Sequence, residues 1–188
     1  MSPPEAPETQ DLLLFSTDVL EQALALVAAH ELPGAPAYTS PVGMHLRHVI
    51  EHYDALLFPL EPGSVDYDRR PRDRELETQP AVARARLQAL KTRLLEGPQA
   101  QLASPLQVRG LGGLAGDFEF AVDSSLGREL AFVASHAIHH FALLLGHCKQ
   151  QGIPLGAQFG RAPATVAHET SARPVPPHLS LKETPCKT

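Results

Sequence analysis

The amino-acid sequence predicts an all-α fold, a four-helix bundle with a long connection after the second helix and a small β-hairpin before the fourth. Four segments carry apolar residues at helical spacing. A polar, turn-rich stretch over residues 59–79 separates the second segment from the third. A glycine-rich segment with alternating apolar residues, "LQVRGLGGLAGDFEFAV", precedes the fourth and is typical of a hairpin. Four helices with one apolar face each pack most economically around a shared core.

The helices are predicted from apolar periodicity and from the residues that begin and end helices. Ser40 is an N-cap candidate followed by Pro41 at the first helical position, and Thr78 is predicted to cap the third helix. Ser124 or Ser125 caps the fourth. The predicted helices span residues 11–30, 41–58, 79–96 and 125–150.

The bundle is expected to form one domain over residues 10–169. The stretch "FGRAPATVAHE" predicts one further helical turn near its end. Residues 170–188 are rich in proline and lack apolar periodicity, so we expect a disordered tail.

Composition narrows the class of protein. The chain has 188 residues, 43% of them hydrophobic and 20% charged, which is typical of a globular domain. A formal charge of −5 and a pI near 6.0 give no basic surface for nucleic acid. The two cysteines, Cys148 and Cys186, form neither a disulfide framework nor a zinc motif. We expect a cytoplasmic protein with no signal peptide and no membrane-spanning helix.

Six of the ten histidines fall in two short windows. Those on the second helix lie within about 60° of one another on a helical wheel. On the fourth helix, His136 and His140 are four residues apart and share a face. The six are His45, His48 and His52, then His136, His139 and His140. Each of the two helices therefore presents a histidine face, and a bundle can bring two such faces together.

Two interpretations of these faces remain open on the residues alone. Three imidazoles are an attested ligand set for a catalytic zinc ion, and imidazole also suits nickel and iron. The fourth helix is apolar almost all round, and stacked histidines are costly there unless they are satisfied. However, an isolated His-x-x-x-His pair is common by chance, and a histidine face can simply be solvated. Glu51 and Glu129 are candidate carboxylates beside these faces.

The stretches "SPVGMHLRHVIEHYDALL" and "SSLGRELAFVASHAIHHFALL" resemble the DinB/YfiT-like superfamily of four-helix-bundle metalloenzymes. The further stretches "VDYDRRPRDRELET" and "FGRAPAT" resemble one uncharacterised bacterial branch of it. The resemblance covers roughly residues 10–168. In many members the last histidine of the motif is followed by Arg or Tyr and then Gly-Gln, whereas "HFAL" ends the motif here.

The resemblance implies a divalent metal ion, such as zinc, nickel or iron, bound by one histidine of the second helix and by the pair on the fourth. His136 and His140 match the pair. His48 matches the second-helix ligand best, although His45 and His52 share its face. Members of the superfamily include transferases and isomerases that use bacillithiol, mycothiol or glutathione, and a related domain helps to form the iron site of ergothioneine-making sulfoxide synthases.

The resemblance therefore implies a metal-dependent enzyme of the thiol-transferase type. A carboxylate such as Glu51, one turn from His48, is expected to move a proton in it. The expected partner is a small-molecule substrate, such as a low-molecular-weight thiol, with no nucleic acid and no membrane, and we allow for a homodimer. Two alternatives stay open: a metal-dependent hydrolase, and a stress-linked bundle that binds metal without catalysis.

Overall fold

Helices dominate the part of the chain that the structure describes, which comprises residues 7–38, 41–97 and 102–171 of a computed structural model. A small three-stranded sheet accompanies them. In chain order the elements are α1 (Pro7–His30), α2 (Val42–Leu57), β1 (Ser64–Asp66), α3 (Arg74–Thr78), α4 (Pro80–Glu96), β2 (Pro105–Gly112), β3 (Phe118–Ser125), α5 (Leu126–Gln150) and α6 (Pro163–Ser171). The predicted predominance of helix is confirmed.

The four predicted helices correspond to α1, α2, α4 and α5, with small changes at their ends. The Ser125 hydroxyl accepts a hydrogen bond from the Arg128 backbone N–H, so Ser125 is the N-cap of α5, as predicted. The prediction that Thr78 caps α4 is wrong, because Thr78 belongs to α3 and Gln79 is the N-cap, with Pro80 in the first turn. Ser40 lies outside the described residues.

The four long helices contact one another in a closed ring. Helix α1 packs against α4 and α5, and α2 packs against the same two helices. Their shared interior contains fully buried side chains, each of which contributes about 1.5–3 kcal/mol through removal from water. Examples are Leu20, Leu26, Leu46, Leu87, Leu130 and Phe141. Ridges of apolar side chains from all four helices thus form one core.

The connection between α2 and α4 carries more structure than predicted. Its strand β1 pairs in parallel with β2, and β2 and β3 form the predicted antiparallel hairpin, which gives the sheet order β1-β2-β3. The three residues of β1 are too few for an alternating pattern to reveal them in the sequence.

Helix α3 lies tightly against α2. A Cβ atom on Gly43 would lie 1.9 Å from the Glu77 carbonyl oxygen, so the two backbones almost touch. The Arg47 guanidinium pairs with the Glu77 carboxylate at 2.5 Å, and the Tyr38 hydroxyl donates to the Leu76 carbonyl at 3.0 Å. These contacts fix the segment between β1 and α4 against the N-terminal half of α2.

The ends of the domain differ slightly from the prediction. Helix α1 begins at Pro7, inside the segment expected to precede the domain, and α6 extends to Ser171, two residues into the predicted tail. Residues 172–188, the remainder of that tail, lie outside the described residues.

Two helices are long and apolar enough to cross a membrane by length and composition alone, Gln10–His30 and Leu126–Gln150. Core helices of folded proteins pass the same test, and both helices pack in the ring described above. The finding is weak evidence for a membrane span.

Candidate metal centre

Three histidine rings converge where α2 packs on α5. His48 Nε2 lies 2.9 Å from His136 Nε2, and His140 Nε2 lies 3.2 Å from the same His136 atom. The three candidate ligand atoms all lie within 4.8 Å of one another, and each residue is half-buried. The cluster of His48, His136 and His140 can therefore hold a metal ion.

The helices bring these rings together because their small and branched neighbours face the core. His136 and His140 are one turn apart on α5. Val133, which precedes them, and Ala137, which lies between them, are buried. On α2 the buried Val49 adjoins His48. The helices can approach closely at these residues, so the rings meet at the edge of the core where solvent still reaches them.

Hydrogen bonding among the rings does not account for this convergence. A neutral imidazole nitrogen carries either one proton or one lone pair, so His136 Nε2 can form one well-directed hydrogen bond. Two ring nitrogens nevertheless lie within 3.2 Å of it. A cation at the centre would accept a lone pair from each ring, since neutral imidazole nitrogens are ligands of divalent metals such as zinc. The donor set therefore fits a divalent metal ion.

The electrostatics of the cluster favour neutral rings. Burial, followed by the neighbouring His52, Arg70 and the other ring residues, lowers the pKa of His48 to about 3. Burial and then His136 lower the pKa of His140 to about 4. Burial also lowers the pKa of His136. Since only neutral imidazole ligates a metal, the rings are in the binding-competent charge state at neutral pH.

The other two histidines of α2 flank the cluster. His45 Nδ1 lies 2.7 Å from His140 Nδ1, on the side of that ring that faces away from His136. His52 Nδ1 donates to the His48 backbone carbonyl at 2.7 Å, and its ring stacks on Tyr67 with centroids 5.3 Å apart. The structure thus places His48 in the cluster and His45 and His52 beside it. His139, on the neighbouring face of α5, is exposed.

Glu51, the residue that the sequence suggests for proton transfer, is 1% exposed. Its Oε1 accepts the Asp73 backbone N–H at 2.8 Å, and its Oε2 lies 3.5 Å from the Arg70 guanidinium. A second contact of the same Arg70 nitrogen reaches His48 Nδ1 at 2.8 Å. Glu51 is therefore linked to the cluster through Arg70 and holds the segment that leads into α3.

Arg70 also determines where the His48 proton lies. A guanidinium can only donate, so His48 Nδ1 accepts, and the proton of the neutral ring is on Nε2. A ring that ligates through Nε2 carries its proton on Nδ1 instead. Metal binding at His48 through Nε2 therefore requires the Arg70 donor to leave Nδ1. The carboxylate oxygen Glu51 Oε2 lies 3.5 Å from that Arg70 nitrogen and is an acceptor for it.

Glu129, the other carboxylate suggested by the sequence, is fully buried and satisfied by three donors. These are the Tyr67 hydroxyl at 2.9 Å, the Ser124 hydroxyl at 2.6 Å and the Arg128 guanidinium at 2.6 Å. The carboxylate joins the segment after β1 and the end of β3 to α5, so it serves as a structural anchor near the cluster.

An aromatic wall borders the cluster on the side of His136. The Phe132 ring stacks on the His136 ring with centroids 5.6 Å apart, and Tyr67 contacts Phe132. Helical spacing could have placed Phe132 near His136, since the two are four residues apart on α5. No periodicity or spacing marks Tyr67 or Arg70, which lie in the irregular segment between β1 and α3, and only the resemblance of the stretch "VDYDRRPRDRELET" draws attention to them.

Comparisons with known proteins leave the family of the chain unassigned. No family model matches the sequence, and no solved structure matches it. Over 104 residues, or 55% of its length, the chain is 30% identical to "FK506-binding protein 5" of Rhizopus delemar. The chain spans 27% of that protein, so the similarity concerns only about a quarter of it.

Proposed function

We propose that the chain is a DinB-like four-helix bundle that binds one divalent metal ion through His48, His136 and His140. The closed ring of contacts among α1, α4, α2 and α5 supports this architecture. The approach of two ring nitrogens to His136 Nε2 carries the proposal of a metal ion, because hydrogen bonds alone leave one of those contacts unexplained.

The proposed activity is transfer of a low-molecular-weight thiol to a small electrophile. A bound ion supplies Lewis-acid chemistry, which lowers the pKa of a thiol brought to it at neutral pH. The protein offers no thiol of its own in the described part of the site. Cys148 is fully buried two turns beyond His140, and burial raises its pKa. The thiol must therefore come from a cosubstrate.

The residues around the cluster have separate tasks in this proposal. The histidine rings are half-buried, so part of each remains in contact with the solvent from which a small molecule would approach. Phe132 and Tyr67 form an apolar wall beside the cluster. Arg70 contacts both His48 Nδ1 and Glu51, so Glu51 would keep the charge of Arg70 neutralised if His48 were to ligate a metal ion.

The test is an activity screen on protein freed of metal and then reloaded separately with zinc, nickel or ferrous iron. Each form is incubated with an electrophile, with and without bacillithiol, mycothiol or glutathione. We expect turnover only with metal and thiol together, and loss of turnover in His136→Ala but not in His168→Ala, whose side chain is exposed on α6. Turnover without thiol would favour a hydrolase. Stoichiometric metal without any turnover would favour a non-enzymatic metal-binding protein.

A further inference from the structure

The contact between His45 and His140 joins the first histidine of α2 to the cluster of His48, His136 and His140. Their Nδ1 atoms are 2.7 Å apart, and the ring centroids are 5.0 Å apart with the planes tilted by 56°. His45 is half-buried and lies one turn before His48 on α2. At this distance the two nitrogens share one proton, so one of them donates and the other accepts.

The position of His140 Nε2 decides the direction of this hydrogen bond. That atom points into the cluster, 3.2 Å from His136 Nε2. If it gives its lone pair to a metal ion, the proton of the neutral ring must be on Nδ1. His140 then donates and His45 accepts, and the proton of the neutral His45 ring is on its own Nε2.

We propose that His45 is a positioning residue that holds His140 in the tautomer and orientation that bind the metal ion. This inference rests on the proposed metal site. Histidine ligands of metals generally donate their second ring N–H to an acceptor, which fixes the ring and strengthens it as a ligand. A backbone carbonyl or a carboxylate is the usual acceptor, whereas here another imidazole provides it. His48 has no such acceptor, because a guanidinium faces its Nδ1.

This assignment distinguishes the neighbouring histidines of α2, which helical spacing alone leaves equivalent. His48 contributes a ligand atom, and His45 acts on the site only through His140. Loss of an acceptor behind a metal ligand typically weakens metal binding about 10- to 100-fold and leaves the ligand set intact.

The experiment compares cobalt(II) and zinc binding by the full-length wild type, His45→Phe and His45→Asn. Phenylalanine keeps a ring but has no acceptor, whereas the carboxamide oxygen of asparagine falls near the position of Nδ1. Affinity is measured by titration against a competing chelator, and coordination by the visible absorption of the cobalt-saturated protein. We expect about 10- to 100-fold weaker binding in His45→Phe, recovery of most of that loss in His45→Asn, and the same saturated cobalt spectrum in all three. His168→Phe is the control and should bind as the wild type does.

Three results would overturn the inference while the metal site itself stands. His45→Phe could bind as tightly as the wild type, His45→Asn could bind no better than His45→Phe, or the saturated spectrum could change, which would make His45 a ligand. Should His45→Phe fail to fold, His45→Ala removes the acceptor without added bulk and has the same expected loss. A wild type that binds neither cobalt nor zinc would refute the proposed function instead.

Discussion

Replacement of Glu51 by glutamine tests whether this buried carboxylate holds the site together. The Glu51→Gln variant keeps the shape of the side chain and an acceptor for the Asp73 N–H, but it removes the charge beside Arg70. Arg70 is itself mostly buried, with 13% of its side chain exposed. Because hydrogen bonds to charged groups contribute about 1.5–3 kcal/mol, we expect a loss of this size in the free energy of unfolding. The contact is long at 3.5 Å, which favours the lower half of that range.

The assay is thermal unfolding followed by circular dichroism in the presence of a chelator. For a domain of this size, 1 kcal/mol corresponds to roughly 2–4 °C in Tm, so a loss in the lower half of that range should make Glu51→Gln unfold about 3–9 °C earlier than the wild type. Glu31→Gln is the matched control. Its partner Arg84 is 3.4 Å away but about half exposed, and such surface pairs contribute roughly 0–1 kcal/mol.

A double-mutant cycle with Arg70→Met isolates the pair. If the two side chains interact as the distances indicate, the double variant should be more stable than the sum of the single losses predicts, by about 0.5–3 kcal/mol. Zinc affinity should not fall in Arg70→Met, because that variant frees His48 Nδ1. An unchanged Tm in Glu51→Gln together with a large loss of turnover would refute this reasoning, and Glu51 would then act in proton transfer, as the sequence suggests.

Two further predictions concern the fold around the site. Gly43→Ala should destabilise the protein by more than the roughly 1 kcal/mol that alanine gains over glycine in a helix, because its Cβ would lie 1.9 Å from the Glu77 carbonyl oxygen. Chemical denaturation measures the free energy of unfolding of this variant. A stabilised variant would show that α3 does not pack on α2 as described. The metal-free protein should lose stability as the pH falls below 6.5, because the pKa values of His48 and His140 are depressed in the folded state, to about 3 and about 4. The unfolded chain then binds protons that the folded chain does not, so this part of the stability is fully present above pH 6.5 and declines towards pH 4. Unfolding curves with chelator between pH 5 and 7.5, where carboxylates stay ionised, should show the decline, and identical curves across that range would contradict the burial of the rings.

The long helices could be predicted from the sequence because the features that indicate a helix are local. Apolar periodicity and caps such as Ser125 depend on neighbours along the chain, and a spacing of four residues places His136 and His140 on one face. Which helix faces meet depends on long-range packing. Helical spacing alone left the three histidines of α2 equivalent, and only the family resemblance favoured His48, which the approach of α5 places in the cluster.

The surroundings of the cluster were beyond prediction for a related reason. Arg70 and Tyr67 lie in an irregular segment without periodicity, so only the folded chain shows that they reach His48 and Glu129. Glu51 was a candidate for proton transfer because it lies one turn from His48 on the same helix. Its role depends on the Asp73 N–H and on Arg70, which approach it from a different part of the chain.

The most direct test of the metal site is the zinc stoichiometry of the wild type and of His136→Ala/His140→Ala. Both proteins are loaded with excess zinc and dialysed, and the zinc is measured by elemental mass spectrometry, with circular dichroism to confirm that each is folded. We predict one zinc ion per chain in the wild type and none retained in the double variant. Full zinc occupancy in a folded double variant, or none in the wild type, would contradict the assignment of these histidines as metal ligands.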